Sequence, residues 1–354
     1  MNFKMKLKQI GKLTILCAIA KLAVGIASLN VACGNNNAAV KPSSNNCQNI
    51  EHDRGTTEVC NQPQKIVAIG PNMLELLLAL DIQPVGYADY FSLPADKFDH
   101  PSQQIPFLGE RITSQPLNVG TADDPDLETI AQLQPDLILG GVASNEDEYD
   151  LLSQIAPTLL FTYAVDDKWQ EQIKAIAQAF DKTELAERVI AEYSANLAQI
   201  KQTLQPIAAE YPRLLLIGSE DIGQGVQVDP YNHDSYCSEL VKNLGFETVF
   251  PPNLSGQEGK GGKVSLEILP QMDTDSILIQ GYNRDFNNVE VNLLEQQTAA
   301  IKKQWNDNAI AQSLSASKSD RIYFTSAYLC RALPGPIGAE IFLNQLQEQL
   351  LLSQ

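Results

Sequence analysis

The sequence predicts an α/β protein of two lobes, each a mainly parallel sheet with flanking helices, joined by one long α-helix. Three observations carry that prediction. A thirteen-residue unit occurs twice, as Leu-Glu-Thr-Ile-Ala-Gln-Leu-Gln-Pro-Asp-Leu-Ile-Leu over 127–139 and as Leu-Glu-Ile-Leu-Pro-Gln-Met-Asp-Thr-Asp-Ser-Ile-Leu over 266–278. Both copies fit Leu-Glu-x7-Asp-x-Ile-Leu, a short helix feeding an apolar strand of the buried type. Between them, residues 182–204 contain no Gly or Pro, and Leu185, Val189, Tyr193, Leu197, Ile200 and Leu204 form one apolar stripe at steps of three and four. On either side, short apolar runs alternate with helical patterns, as in a parallel sheet covered on both faces.

Residues 1–32 read as a signal peptide. Lys4, Lys6, Lys8 and Lys12 precede a largely apolar stretch that is too short and too interrupted, by Lys21, for a membrane span. The stretch ends in Val31-Ala32-Cys33-Gly34, which resembles a lipobox and marks Cys33 for lipidation, although Asn30 stands where such motifs usually carry Leu. Ordinary cleavage nearby would instead release a soluble exported protein. Residues 33–62 read as a lipid-anchor tether and lead-in, polar at first and closing at Cys60. The first lobe covers 63–181, with strands at 65–69, 83–87, 135–139 and 157–161 and a helix at 73–80 after the Gly70-Pro71-Asn72 turn. Asp124-Pro125 supplies N-cap chemistry for the helix of the first repeat, and Ser265 does so for the second. The connecting helix takes 182–206, and its uninterrupted stretch 182–204 makes a rod of roughly 35 Å that would stiffen the link between lobes. The second lobe covers 207–354, with strands at 213–218, 276–279 and 321–324 and helices at 238–244, ended by Gly245, and at 338–350. Residues 253–262 are Gly-rich and polar and read as a surface loop.

Composition excludes several functions. The chain carries 25 basic and 43 acidic residues. Without its first 32 residues, which hold five lysines and no acid, the formal charge is −23, and no basic run offers a nucleic-acid surface. There is no nucleotide-binding glycine fingerprint, no paired-carboxylate motif, no Gly-x-Ser-x-Gly and no Cys–His arrangement, so an enzyme is not expected. Cys47, Cys60, Cys237 and Cys330 suit an oxidising compartment. Cys47 and Cys60 are expected to pair across a short loop. Whether Cys237 joins Cys330 stays open.

The run Pro63-Gln-Lys-Ile-Val-Ala-Ile-Gly-Pro-Asn-Met-Leu-Glu-Leu-Leu-Leu-Ala-Leu-Asp-Ile-Gln-Pro-Val-Gly86 resembles the opening of iron-siderophore substrate-binding proteins of ABC importers. Val119-Gly-Thr with Pro125 to Leu139, and Gly335-Pro-Ile-Gly-Ala-Glu-Ile-Phe-Leu343, resemble that family's later landmarks, so the likeness spans about 47–350. It implies a monomer that moves modestly on binding and takes up a ferric siderophore, ferric citrate being one option, in the periplasm or at the outer face of the cytoplasmic membrane. It also implies a permease dimer as partner, with Glu128 and Glu267 docking into arginine pockets; opposed charges on two rigid lobes would set orientation and speed encounter. As first-turn acids the same glutamates would suit a helix dipole. No protein metal ligands and no cofactor are needed, since a siderophore already saturates its iron. A cobalamin or haem carrier of the same fold is the alternative, with Tyr231, His233 or Tyr236 available to haem.

Such a ligand needs cations or hydrogen-bond donors for its oxygens and aromatic faces for its backbone. The cationic candidates are Arg111, which precedes the Val119 landmark, and Arg284 and Arg331, which follow strands. The aromatic candidates are Tyr87, Tyr90, Trp169, Tyr231, Tyr236, Tyr282 and Tyr328. Several of these lie just after strands, where α/β sheets bind ligands.

Overall fold

The structure is a computed structural model and describes residues 47–163, 168–228, 235–249, 262–272, 274–282 and 291–353. Cys33, Tyr231, His233, Arg284 and most of 253–262 lie outside the described residues. Residues Asn45–Gln354 form one compact unit.

The stretch expected to be a plain lead-in is a β-hairpin. Strand β1 (Cys47–His52) pairs antiparallel with β2 (Gly55–Cys60), and the Cys47–Cys60 disulfide joins directly opposed residues. Ile50 and Val59 are buried, so the hairpin is anchored by an apolar face as well as by its disulfide.

The first sheet has the order β6-β5-β4-β3-β7-β8. Its strands are β3 (Ile66–Ile69), β4 (Gly86–Asp89), β5 (Leu117–Thr121), β6 (Asp124–Pro125), β7 (Leu137–Gly141) and β8 (Thr158–Phe161), all parallel except the edge strand β6. In the second sheet β9 (Arg213–Ser219), β13 (Ser276–Gly281) and β14 (Ile322–Ser326) run parallel. Short strands extend its other edge: β11 (Glu247–Val249) pairs parallel with the first half of β9, and β10 (Val226–Val228) meets β9 antiparallel near its end, with β12 (Gly262–Val264) outside it.

The strands β3, β7, β8, β9 and β13 are buried on both faces, which explains their apolar runs. Side chains alternate: Val67 and Ile69 face one cluster with Val119 and Ile138, while Ile66 and Ala68 face another. In the second sheet Leu215 and Ile217 pack with Ile277 and Ile279, while Leu214 and Leu216 point the other way. The cluster that takes Ile66 and Ala68 also takes Leu214 and Leu216, running beneath both sheets through the connecting helix and the last helix, Pro336–Leu352. Separating the sheets would expose this shared core, so the lobes are joined by burial as well as by chain.

The connecting helix is Thr183–Glu210, about 42 Å long at 1.5 Å per residue. It starts one residue later than the sequence suggests and continues past Pro206, which sits within its last turns. Tyr193, Ile200 and Leu204 of the expected stripe are buried, and Leu185, Val189 and Leu197 pack half-buried on the same cluster.

The repeat has the same anatomy twice. Asp126 caps the helix Leu127–Leu133 by accepting from the Glu128 N–H at 3.1 Å; Ser265 accepts from the Glu267 N–H at 3.4 Å. At the far end, the Asp136 carboxylate accepts from the amides of Gln64 and Lys65, and Asp275 accepts from that of Arg213, each at 2.9 Å. Each aspartate thus clamps the strand that its own strand will pair with. The copies differ between those ends: residues Leu266–Gln271 form a 3₁₀ helix, because Pro270, where the first copy has Ala131, has no N–H to give to an α-helical ladder.

Candidate functional site

The carboxyl ends of the parallel strands of both sheets face one another across the boundary between the lobes, which makes that boundary the candidate cleft. In the first lobe β3 ends at Gly70, whose φ of 107° turns the chain into the helix Pro71–Ala79. Asn72, in the first turn of that helix, accepts a hydrogen bond from the Tyr90 hydroxyl at 3.4 Å, just beyond β4. Tyr163 follows β8 by two residues and donates to the carbonyl of Cys330, in the second lobe, at 3.3 Å.

In the second lobe Tyr282 follows β13, and its N–H donates to the Ser219 carbonyl at the end of β9, at 3.1 Å. Strand β14 runs into the short helix Ala327–Ala332, capped by Ser326, whose hydroxyl accepts from the Tyr328 N–H at 3.2 Å. The Cys237–Cys330 disulfide ties this helix to the helix Tyr236–Leu244, so the second pair of cysteines is also joined. Arg331, exposed, is in the last turn of Ala327–Ala332 with its guanidinium 6.0 Å from the Tyr282 ring centroid. Burial raises the pKa of the Tyr163 phenol, Tyr90 adds to the shift and Arg331 opposes it; burial also raises that of Tyr90, with Asp89 and Asp123 adding. The phenols of Tyr90 and Tyr163 therefore remain hydrogen-bond donors at neutral pH. Tyr90, Tyr163, Tyr282 and Arg331 together offer ring faces, hydroxyls and a guanidinium to a ligand rich in oxygen atoms.

Four expected aromatic contacts are core residues instead. Tyr87 is within β4, which begins three residues later than the sequence suggests, and its hydroxyl donates to buried Asp89. Tyr328 points into the interface between the lobes, donates to the same Asp89 carboxylate at 2.6 Å, and stacks on Phe91 and Phe107 at 5.4 and 5.8 Å. Trp169 is buried edge-on to Tyr193 at 5.0 Å, and Tyr236 donates to the Gly335 carbonyl at 3.4 Å from full burial. Burial is the largest cause of the raised pKa at Asp89; the two phenols pull it back, and their own pKa values are pushed well up by burial and by Asp89.

Arg111 is not brought to this cleft. Its guanidinium pairs with Glu340 of the last helix at 2.9 Å, and its carbonyl accepts from Gln83, ahead of β4 at the amino end of the sheet. It lines a cavity of about 370 Å³ with Val189, Glu192 and Asn196 of the connecting helix. Conversely, the sequence reading passed over Tyr163, although the rule applied to the other tyrosines, proximity to a strand end, would have included it.

Glu128 and Glu267 are both exposed. Each lies in the first turn of a helix that begins at the carboxyl end of its sheet and runs back to the amino end, so both project from the side of the molecule that holds the cleft.

Residues 66–329 match the periplasmic binding protein family. Among curated relatives, the putative ABC transporter substrate-binding lipoprotein YhfQ of Bacillus subtilis is 25% identical over 96% of this chain and 98% of its own length. The Fe(3+)-citrate-binding protein YfmC of the same organism is 28% identical over 88% of this chain and 89% of its own. Among solved structures, Staphylococcus aureus SirA, crystallised with staphyloferrin B, shares the fold with a TM-score of 0.64 at 22% identity, covering 86% of this chain and 98% of that one. A match across most of the chain, with the same two-lobed fold in a solved relative, establishes that this chain belongs to the periplasmic binding protein family.

Proposed function

We propose that this protein captures a ferric siderophore, ferric citrate being one option, between its lobes and delivers it to an ABC permease for iron uptake. The observation that carries this reading is the gathering of Tyr90 and Tyr163 from one lobe with Tyr282 and Arg331 from the other at the carboxyl ends of both sheets. The guanidinium would hold the carboxylate or hydroxamate oxygens of the chelator, and the phenols its remaining acceptors and its carbon skeleton. Iron arrives coordinated by the chelator and is cargo, so the protein need supply no metal ligand. Arg284, two residues beyond Tyr282, is a further candidate for this group.

The protein is read as a monomeric carrier and not as an enzyme. Among the described residues, the fully buried acids Asp89 and Glu75 are engaged in hydrogen bonds between the lobes. Relatives named for Fe(3+) citrate and for lipoprotein character favour a ferric ligand over haem or cobalamin, and an extracytoplasmic place with a lipid on Cys33. Tyr236, offered above as a haem ligand, is committed to Gly335. Glu128 and Glu267 would meet basic pockets on the two permease subunits.

Titrating the intrinsic fluorescence of residues 45–354 with ferric citrate, ferric hydroxamates, ferric catecholates, haem and cobalamin tests the reading. Saturable quenching by one ferric class is expected. A response to haem or cobalamin alone would overturn the ligand and keep the fold.

A further inference from the structure

The last helix, Pro336–Leu352, begins without a side-chain cap of its own, since its N-cap residue is Gly335. Its exposed amides are met from the other lobe. Glu75, in the helix Pro71–Ala79 of the first lobe and wholly buried, accepts from the Gly338 N–H at 2.6 Å through Oε1, and the amides of Gly335 and Ile337 also favour its charged form. Among the described residues, Oε2 finds no hydrogen-bond partner. The contact depends on two glycines: a Cβ on Gly335 would lie 2.7 Å from the Glu75 carboxyl carbon, and one on Gly338 would lie 2.1 Å from the Leu333 carbonyl oxygen. Three residues before Pro336, the chain leaves the short helix that carries Arg331 and the Cys330 carbonyl held by Tyr163.

We propose that Glu75 is a positioning residue for ligand capture: by capping the last helix across the lobe boundary it sets the spacing between the lobes and so holds Arg331 opposite Tyr90 and Tyr163. Its consequence for binding rests on the cleft proposed above; its effect on lobe spacing does not. The ionisable groups that face it are Arg111 and Tyr163, with the Tyr236 phenol on the Gly335 carbonyl and Glu340, paired to Arg111, one turn along the helix. Burial pushes the Glu75 carboxyl up to about 8 from 4.5, against the pull of the three amides and of Arg111. The packed arrangement therefore favours the neutral acid. Because the raised value belongs to the packed state, the stabilisation is complete below about pH 4.5 and is lost as the pH climbs through about 8.

The test is the distance between spin labels on the exposed positions Ser153→Cys and Ala300→Cys, one per lobe, in the full chain in mild detergent without ligand. With Glu75 native, the distance distribution should broaden from pH 5 to pH 8.5; with Glu75→Gln, a neutral isostere, it should stay narrow throughout. Gly335→Ala, which drives a methyl group into the carboxyl, should lengthen the mean distance and weaken quenching by ferric citrate by about fivefold, the low end of ordinary coupling between sites. A Gly335→Ala distribution matching the native one, or the same broadening with pH in Glu75→Gln as in the native chain, would overturn the proposal. If Gly335→Ala fails to fold, the comparison of Glu75→Gln with the native chain decides. If the distances respond as expected but no ferric chelate quenches the native protein, the ligand reading falls and the positioning role of Glu75 stands.

Discussion

The two ends of the sheets use similar residues for different work. At the amino ends, charged groups fix the backbone: Asp136 and Asp275 clamp neighbouring strands, and Arg111 is paired with Glu340. At the carboxyl ends, Tyr90 and Tyr163 of one lobe and Tyr282 and Arg331 of the other stand at the boundary between the lobes, where the ligand is proposed to bind. The repeat spans both ends, with an exposed glutamate at one and a clamping aspartate at the other. On the proposed function, the arginines divide by sheet end: Arg111 serves structure and Arg331 serves the ligand. In open α/β sheets ligands bind in the crevice outside the carboxyl ends of the strands.

The largest expected effect is at the carboxyl end where the lobes are bolted together. Asp89→Ala leaves the Tyr87 and Tyr328 hydroxyls buried without their acceptor and should cost about 3 kcal/mol, read as a lowered denaturant midpoint. A midpoint unchanged within error would show that the bolt carries no load. At the amino ends, Asp136→Ala removes the acceptor of two amides and Asp275→Ala that of one, with expected losses of about 2 and about 1 kcal/mol and no change in ligand affinity. A change in affinity with either would blur the division between the ends. The smallest effect concerns the hairpin. His52 accepts from the Arg54 and Leu160 amides through Nδ1, and burial, the largest cause, lowers its pKa. Its stabilisation is therefore present above the ordinary histidine pKa and lost as the pH falls through the lowered one. Hydrogen exchange at the Leu160 amide should quicken at acid pH relative to the Val67 amide; equal protection at both would sink the idea.

Much of this arrangement was legible in the sequence because it follows from periodicity. The repeat located both sheets, and the apolar runs at β3, β7, β8 and β9 marked strands buried on both faces. Other elements carried weaker signals. In β5, Asn118 and Gly120 interrupt the apolar pattern, and the Asn118 amide is instead satisfied by the carbonyls of Leu93 and Ala95. The helix Val291–Asp307 has a stripe in Leu294, Ile301 and Trp305, but the polar residues between them dilute it. The cleft was read less well for a physical reason. Proximity to a strand end does not say which way a side chain points: Tyr87 and Tyr90 are three residues apart, yet one is sealed in the core and the other is half-buried with its hydroxyl on Asn72. Arg111 had a plausible position along the chain, but Glu340, distant in sequence, took its charge.

The division between the sheet ends is tested most directly by measuring ferric citrate affinity for Arg331→Ala beside Arg111→Ala, each checked for an unchanged melting profile. The expected result is a loss of about tenfold or more for Arg331→Ala, the scale of a charge-assisted hydrogen bond, and native affinity for Arg111→Ala. Equal losses in both variants, or a loss in Arg111→Ala alone, would contradict the placement of the ligand at the carboxyl ends of the sheets.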